Sequence, residues 1–172
     1  MSGDDNDLPT EIKWQGKYVT ALARGKWEYV SRTGQTSAVV VIAEHEGKMI
    51  LVEQHRVPVG GRCLELPAGL VGDEDANATV EQTAIKELEE ETGYTAERVE
   101  KLGYFHASPG MLSEGFTLVR VHGVRRIGVG GGNADEDIVV HRMSRADIPD
   151  FIATKRTEGV AIDVKLLLFL GY

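Results

Sequence analysis

The 172-residue chain is long enough to bury one sizeable core and too short for several domains. Apolar residues make up 42% and charged residues 27%, as in ordinary globular proteins, and a lone cysteine, Cys63, excludes an intramolecular disulfide framework. The formal net charge is −8 and no Lys/Arg run is longer than two, which argues against nucleic acid as a partner; a protein of that sign acting on a polyanion needs cations at its site.

Residues 1–10 are polar and acidic, without the basic and apolar regions of a signal peptide, and read as a disordered tail. No apolar run approaches the roughly 18 residues of a membrane helix, so the expectation is a cytoplasmic protein with no membrane partner. Residues 17–23 and 26–32 are short strand candidates with Arg24-Gly25 as their turn. The valine-rich segment 36–43 reads as a buried strand. Glu46-Gly47 turns it into a second strand at 49–56, with Ile50, Val52 and Gln54 on one face, and the two are expected to form a hairpin. Residues 57–62 form a Pro/Gly loop, and a short strand at 64–67 ends on Pro67.

The strongest helical segment is 79–92. Val80, Ala84, Ile85 and Leu88 fall on one stripe, Thr79 suits the N-cap, and Gly93 suits the position just past the last turn. Strands follow at 99–106 and 116–124, then a mobile loop at 125–133 containing Gly130-Gly131-Gly132, then a strand at 138–141. Ser144 is expected to open a helix, with Asp147 three residues on, and a last helix is expected over 158–169. Strands, one central helix, more strands and two helices point to an α+β fold, a mixed sheet with helices on its faces.

The central helix carries the chemistry. Glu81, Glu87, Glu89, Glu90 and Glu91 share it with Lys86 as the nearby cation. Glu87 and Glu91 are four apart and Glu90 lies beside them, a spacing at which like charges cost about 0.2–0.5 kcal/mol per pair. They also lie near the C-terminus, where the helix dipole disfavours anions. A solvated acidic face would tolerate these costs; a bound divalent cation would reverse them, and oxygen ligands on one rigid face suit Mg²⁺ or Mn²⁺. Just upstream, Leu64-Glu65-Leu66-Pro67-Ala68-Gly69-Leu70 takes a strand into a turn whose small residues leave the backbone open to a metal or phosphate.

The segment from Lys86 to Tyr94 resembles the end of the Nudix box, G-x5-E-x7-R-E-U-x-E-E-x-G-U, where U is bulky and apolar. Glu65-Leu66-Pro67-Ala68-Gly69-Leu70 resembles the usual lead-in of the ADP-ribose pyrophosphatases of that family. The resemblance spans about residues 27–162 and is densest over 52–94. Counting back strictly from Gly93 puts the opening glycine at Gly72 and the first glutamate at Ala78. Taking Gly69 as the opener requires about three extra residues in the loop 71–79 and leaves Glu74 or Asp75, or neither, in place of the first glutamate. Lys86 stands where the family has arginine, keeping the charge and losing the bidentate fork.

The resemblance implies an α/β/α sandwich around a mixed sheet. It also implies hydrolysis of a nucleoside diphosphate sugar, ADP-ribose to AMP and ribose 5-phosphate above all, with Mg²⁺ (or Mn²⁺) as cofactor. Another nucleotide sugar, such as GDP-mannose or ADP-glucose, and a nucleotide sensor that does not cut are the rival readings. Glu87, Glu90, Glu91 and the Ala68 carbonyl would be metal ligands, with Glu87 and Glu90 counted among the catalytic residues. Glu136, in the Asp135-Glu136-Asp137 stretch after the glycines, matches the family's loop glutamate that acts as base or ligand. Ser108-Pro109-Gly110-Met111 resembles the marker of the ADP-ribose subgroup, and Glu114 continues that loop towards the terminal ribose. Trp27-Glu28 begins a strand of an N-terminal β arm, residues 11–35, which in the resembling enzymes is exchanged in a homodimer with the tryptophan stacked on adenine; residues 36–172 would be the hydrolase domain. Arg32 and Arg56 are candidates for diphosphate or ribose contacts. His55, His106 and His122 show no ligand spacing and are assigned to no metal site.

Overall fold

The computed structural model describes residues 5–34, 37–73, 75–133 and 136–170. Three strands come first: β1 (Glu11–Gln15), β2 (Val19–Arg24) and β3 (Trp27–Arg32) form an antiparallel sheet in that order. Arg24 pairs with Trp27, so the turn falls on Gly25-Lys26, one residue later than expected. β1 was not anticipated as a strand because all five of its residues are exposed, leaving no buried alternation to read. Of the expected tail, residues 1–4 lie outside the described residues; Asp5–Asp7 forms a short 3-10 turn, and Arg24 Nε donates to Thr10 Oγ1 at 2.8 Å.

The remaining elements are β4 (Ser37–Ile42), β5 (Glu44–His45), β6 (Lys48–Arg56), β7 (Gly61–Glu65), β8 (Ala68–Val71), α1 (Val80–Thr92), β9 (Tyr94–Thr95), β10 (Arg98–His106), β11 (Gly115–His122), β12 (Arg125–Arg126), β13 (Val139–Ser144), α2 (Ile148–Thr157), β14 (Ala161–Ile162) and a closing 3-10 turn, Val164–Phe169. They build one sheet in the order β10-β11-β4-β8 and another in the order β13-β6-β7-β14, with β5 on β6 and the short pair β12-β9 apart. β4 runs parallel to β11 and β14 parallel to β7; the other neighbours are antiparallel. The sheets are therefore mixed, as expected.

Side-chain alternation places the helices. On β4, Val39 and Val41 point to a core shared with Ala84 and Leu88 of α1, while Val40 and Ile42 point to a second core shared with Ile148 and Ile152 of α2 and with Leu166. β6 divides likewise: Ile50 faces the first core, Met49 and Leu51 the second. A strand with helices on both sides must be apolar on both faces, which is why 49–54 is buried throughout instead of showing one inward face. The α/β/α sandwich follows.

Four sequence expectations change. β4 and β6 do not pair as the expected hairpin, because they lie in different sheets; the Glu46-Gly47 turn joins the short β5 to β6, with Ile50 N donating to Ala43 O at 3.0 Å just beyond it. The strand expected at 64–67 begins at Gly61, and β8 follows Pro67 as a separate strand on β4. Ser144 closes β13 instead of opening a helix. Its hydroxyl donates to Asp147 at 2.7 Å, and α2 starts at Ile148. The last helix is absent: α2 ends at Thr157, and pairing of Ala161 and Ile162 with Cys63 and Leu64 draws the chain into the sheet before a 3-10 turn.

Candidate active site

Local signals fix α1 at both ends. Thr79 Oγ1 accepts from Gln82 N at 3.2 Å and Gln82 Oε1 accepts from Thr79 N at 2.9 Å, a reciprocal capping box. Gly93 stops the helix with φ 73°, its N–H donating to Glu89 O at 2.9 Å. A Cβ there would lie 2.6 Å from Gly128 and Gly130 backbone atoms, so the helix end packs directly on the glycine loop. That loop, expected to be free, is tied down: Gly131 N donates to Glu91 O at 2.9 Å, Gly132 N to Glu90 O at 3.0 Å, and Ile127 and Gly128 N to Gly93 O. The last carbonyls of α1 thus find donors in the 127–132 segment.

Between these ends the helix presents a carboxylate to the interior. Glu91 is only 4% exposed and accepts from Ala68 N at 3.1 Å. Burial pushes its carboxyl up to about 8; the Ala68 amide opposes this, and the charges of Glu87 and Glu136 add to it. Glu87 lies one turn earlier, against Gly69. A Cβ on Gly69 would fall 2.0 Å from the Glu87 carboxylate, so glycine leaves room for that side chain where it stands and any larger residue would push it aside. Glu90 is paired with Lys86 at 3.1 Å, four residues back. Lys101 from β10 holds Glu81 at 2.8 Å, a second cation that the helix sequence alone did not reveal.

In front of this face opens a cleft of about 370 Å³ bordered by Arg56, Ala68, Glu87, Glu90 and Glu136. The fold thus gathers five of the sequence-predicted residues, with Glu91 behind Ala68. Glu136 accepts from Asn133 N at 2.8 Å, which turns its carboxylate back onto the loop. Asp73, Asp75 and Asn133 also line the cleft. Of the candidates for the first box glutamate, Asp75 is there, its Oδ1 accepting from Asn77 N at 2.9 Å, and Glu74 lies outside the described residues, as does Asp135. Asp73 went unremarked because a lone aspartate in an irregular loop gives no spacing to read.

Arg56 reaches the cleft wall already engaged. Its Nε and Nη2 meet the two oxygens of buried Glu65 at 2.8 and 3.0 Å, a bidentate pair that holds the guanidinium in one plane. Glu65 was missed as a site-supporting residue, although its place in the strand before Pro67 was the available signal.

The remaining candidates form a second group, none of it lining the cleft. Trp27 is half exposed at the β2–β3 turn and is not a core aromatic; Glu28 is also exposed. Arg32 Nε meets Glu114 Oε1 at 2.5 Å, so two predicted substrate contacts are each other's partners. The loop bearing Pro109 and Gly110 docks on β3: Val30 N donates to Met111 O at 2.9 Å and Ser113 N to Val30 O at 3.0 Å, leaving the Met111 side chain exposed.

The donor set suits a hard divalent cation. Carboxylates dominate the cleft against Arg56 and Lys86, and Glu91 is a buried acid whose ionisation a cation would favour. As the side chains stand, no three His, Cys, Asp or Glu groups among the described residues converge closely enough to enclose an ion. Glu90, half-buried, faces Lys86 and Glu136, exposed, faces Asn133, so rotation of both carboxylates is required for closure.

Residues 33–156 match the NUDIX domain. The chain belongs to the NUDIX family. Among its relatives is a protein of Bacillus methanolicus named methanol dehydrogenase activator, 37% identical over 162 residues, covering 89% of this chain and 85% of that protein. An ADP-ribose pyrophosphatase of Bacillus subtilis is 42% identical over 89 residues, 52% of this chain and 45% of that enzyme. This NUDIX chain spans about half the length of several of its curated relatives. Its fold is shared with a solved ADP compounds hydrolase, at a TM-score of 0.67 and 20% identity over 85% of this chain and 81% of the other. The α/β/α architecture expected from the box is the family fold. No helix of the described residues is long and apolar enough to cross a membrane.

Proposed function

We propose that this NUDIX protein hydrolyses the pyrophosphate bond of a nucleoside diphosphate sugar, with ADP-ribose cut to AMP and ribose 5-phosphate. The observation that carries the reading is the cleft in which Glu87, Glu90 and Glu136 stand before buried Glu91 and beside a fixed arginine. The substrate is suggested by the ADP-ribose pyrophosphatases among its relatives.

A diphosphate brings negative charge to a wall of carboxylates, so cations must accompany it. Glu87, Glu90, Glu91 and the Ala68 carbonyl would hold Mg²⁺, or Mn²⁺ in its place, which would supply neutralisation of the phosphate charge. Glu136 takes the proton of the attacking water once its carboxylate turns from Asn133 N into the cleft, the loop itself staying anchored. Arg56, braced by Glu65 at the cleft border, orients the diphosphate. Residues 11–35 act as a dimerisation arm. Trp27, with Glu28, Arg32, Glu114 and the Pro109-Gly110-Met111 loop, serves the nucleoside and terminal sugar in the homodimer, where aromatic stacking is worth roughly 1–3 kcal/mol. The cytoplasm is the proposed site of action.

The test is a panel of ADP-ribose, ADP-glucose and GDP-mannose incubated with Mg²⁺ or Mn²⁺, with products resolved by chromatography. AMP and ribose 5-phosphate are expected, and none without metal. Preferential cutting of GDP-mannose would move the base assignment and keep the chemistry. Binding without turnover of any compound would refute the hydrolase reading.

A further inference from the structure

Outside the cleft, a polar cluster surrounds Glu53 on β6. Its side chain is 7% exposed and meets groups from three elements: Arg62 Nε of β7 at 2.7 Å, His141 Nε2 of β13 at 3.0 Å and Lys155 Nζ of α2 at 3.1 Å. Desolvation alone would push this carboxyl up, but the bonds from Arg62, Lys155 and His141 outweigh it and hold it below its ordinary value. Glu53 is thus a fixed anionic post. Arg62 uses it on one side, with Nη2 also donating to Glu53 O at 2.8 Å. On its other side the same guanidinium leaves the core. Nη1 donates to Asp137 Oδ2 at 2.7 Å and Nη2 to Asp137 O at 3.1 Å.

An ion pair to Asp137, whose side chain is 82% exposed, contributes little stability. Its geometry is another matter. Asp137 follows Glu136, and Arg62 grips both its side chain and its main chain. Upstream, Gly131 and Gly132 are anchored on the carbonyls of Glu91 and Glu90. The Glu136 carboxylate therefore hangs between two anchors, one on α1 and one on β7.

We infer that Arg62, braced by Glu53, is a positioning residue that fixes the backbone just after Glu136 through Asp137 and so sets where the Glu136 carboxylate meets the cleft. This rests on the proposed role of Glu136. Lysine cannot replace Arg62, because a single ammonium on a flexible stem cannot hold Glu53 and two Asp137 oxygens in one plane.

The experiment compares ADP-ribose turnover in Asp137→Ala, Arg62→Lys, Arg62→Met, Glu136→Gln and the double variant Asp137→Ala/Glu136→Gln, with a melting curve for each. Asp137→Ala keeps the main-chain bond and folds normally, and kcat is expected to fall about 5- to 20-fold with KM within about twofold, since small misplacements of a reacting group act on the chemical step. Arg62→Met is expected to lose on the order of 10²-fold in kcat. Arg62→Lys regains the melting temperature but not the rate, which separates positioning from stability. In the Glu136→Gln background, Asp137→Ala costs nothing further, because the group being positioned is gone. Wild-type kcat in Asp137→Ala and Arg62→Lys beside a slow Glu136→Gln overturns this inference alone. An undiminished Asp137→Ala effect in the Glu136→Gln background does the same. A wild-type rate in Glu136→Gln overturns the base assignment and the inference with it.

Discussion

Replacing Glu91 by Gln is expected to stabilise the metal-free protein at alkaline pH while removing most of its activity. The folded protein holds the Glu91 proton up to about pH 8, whereas the unfolded chain releases it near the ordinary 4.5. Between those values the native state carries a proton that the unfolded state has lost, so stability falls as pH rises; it is fully present below 4.5 and gone above 8. At about 1.36 kcal/mol per pH unit, the interval corresponds to on the order of 5 kcal/mol, a large fraction of a domain's total stability. Glutamine does not titrate, and its amide oxygen still accepts the Ala68 N–H. Denaturant unfolding in chelator at pH 5, 7 and 9 measures the effect: the variant gains on wild type from pH 5 to pH 9. Added Mg²⁺ should restore wild-type stability at pH 9 by favouring the charged carboxylate and leave the variant unmoved. Parallel stability curves for the two proteins across that range would refute the account of Glu91 as a buried acid awaiting a cation.

Three further outcomes follow from named contacts. Gly69→Ala would put a Cβ 2.0 Å from the Glu87 carboxylate as it stands, so the carboxylate must swing aside and turnover should fall up to about 10²-fold with a nearly unchanged melting temperature; wild-type kinetics would show that Glu87 needs no fixed seat. Gly93→Ala must adopt φ 73° and press on Gly128 and Gly130, and urea unfolding should register a loss of about 1–2 kcal/mol or more. Trp27→Ala, at a half-exposed turn, should raise KM several-fold and leave kcat and unfolding close to wild type. Sedimentation that finds only monomer would remove the dimeric stacking arrangement.

Local chemistry made much of this protein legible. The extent of α1 follows from Thr79, Gln82 and Gly93, whose hydrogen bonds close within a few residues, and the spacing of Glu87, Glu90 and Glu91 survives any change of surroundings. The same holds for the strands at 99–106 and 116–124, found to within a residue or two. The hairpin between 36–43 and 49–56 went wrong because the apolar runs 38–43 and 49–52 show no alternation. Such strands do not say which sheet they enter, and pairing was decided by partners far along the chain, Gly115–His122 for one and Val139–Ser144 for the other. The final helix failed for the same reason: its apolar residues fit a helix, but the vacant edge of β7 took Ala161 and Ile162.

At the site, the sequence by itself determined which carboxylates share a helix face beside Ala68-Gly69, since that is fixed by covalent order and helix geometry. Tertiary structure alone decided their inequality. Burial makes Glu91 an acid of raised pKa, Lys86 holds Glu90, and Gly69 makes room for Glu87. It also decided which arginine borders the cleft, because Arg56 and Arg62, six residues apart on adjacent strands, find different glutamates across the β6–β7 pair. Desolvation and the choice among charged partners depend on what packs nearby, and that is not written in the order of residues.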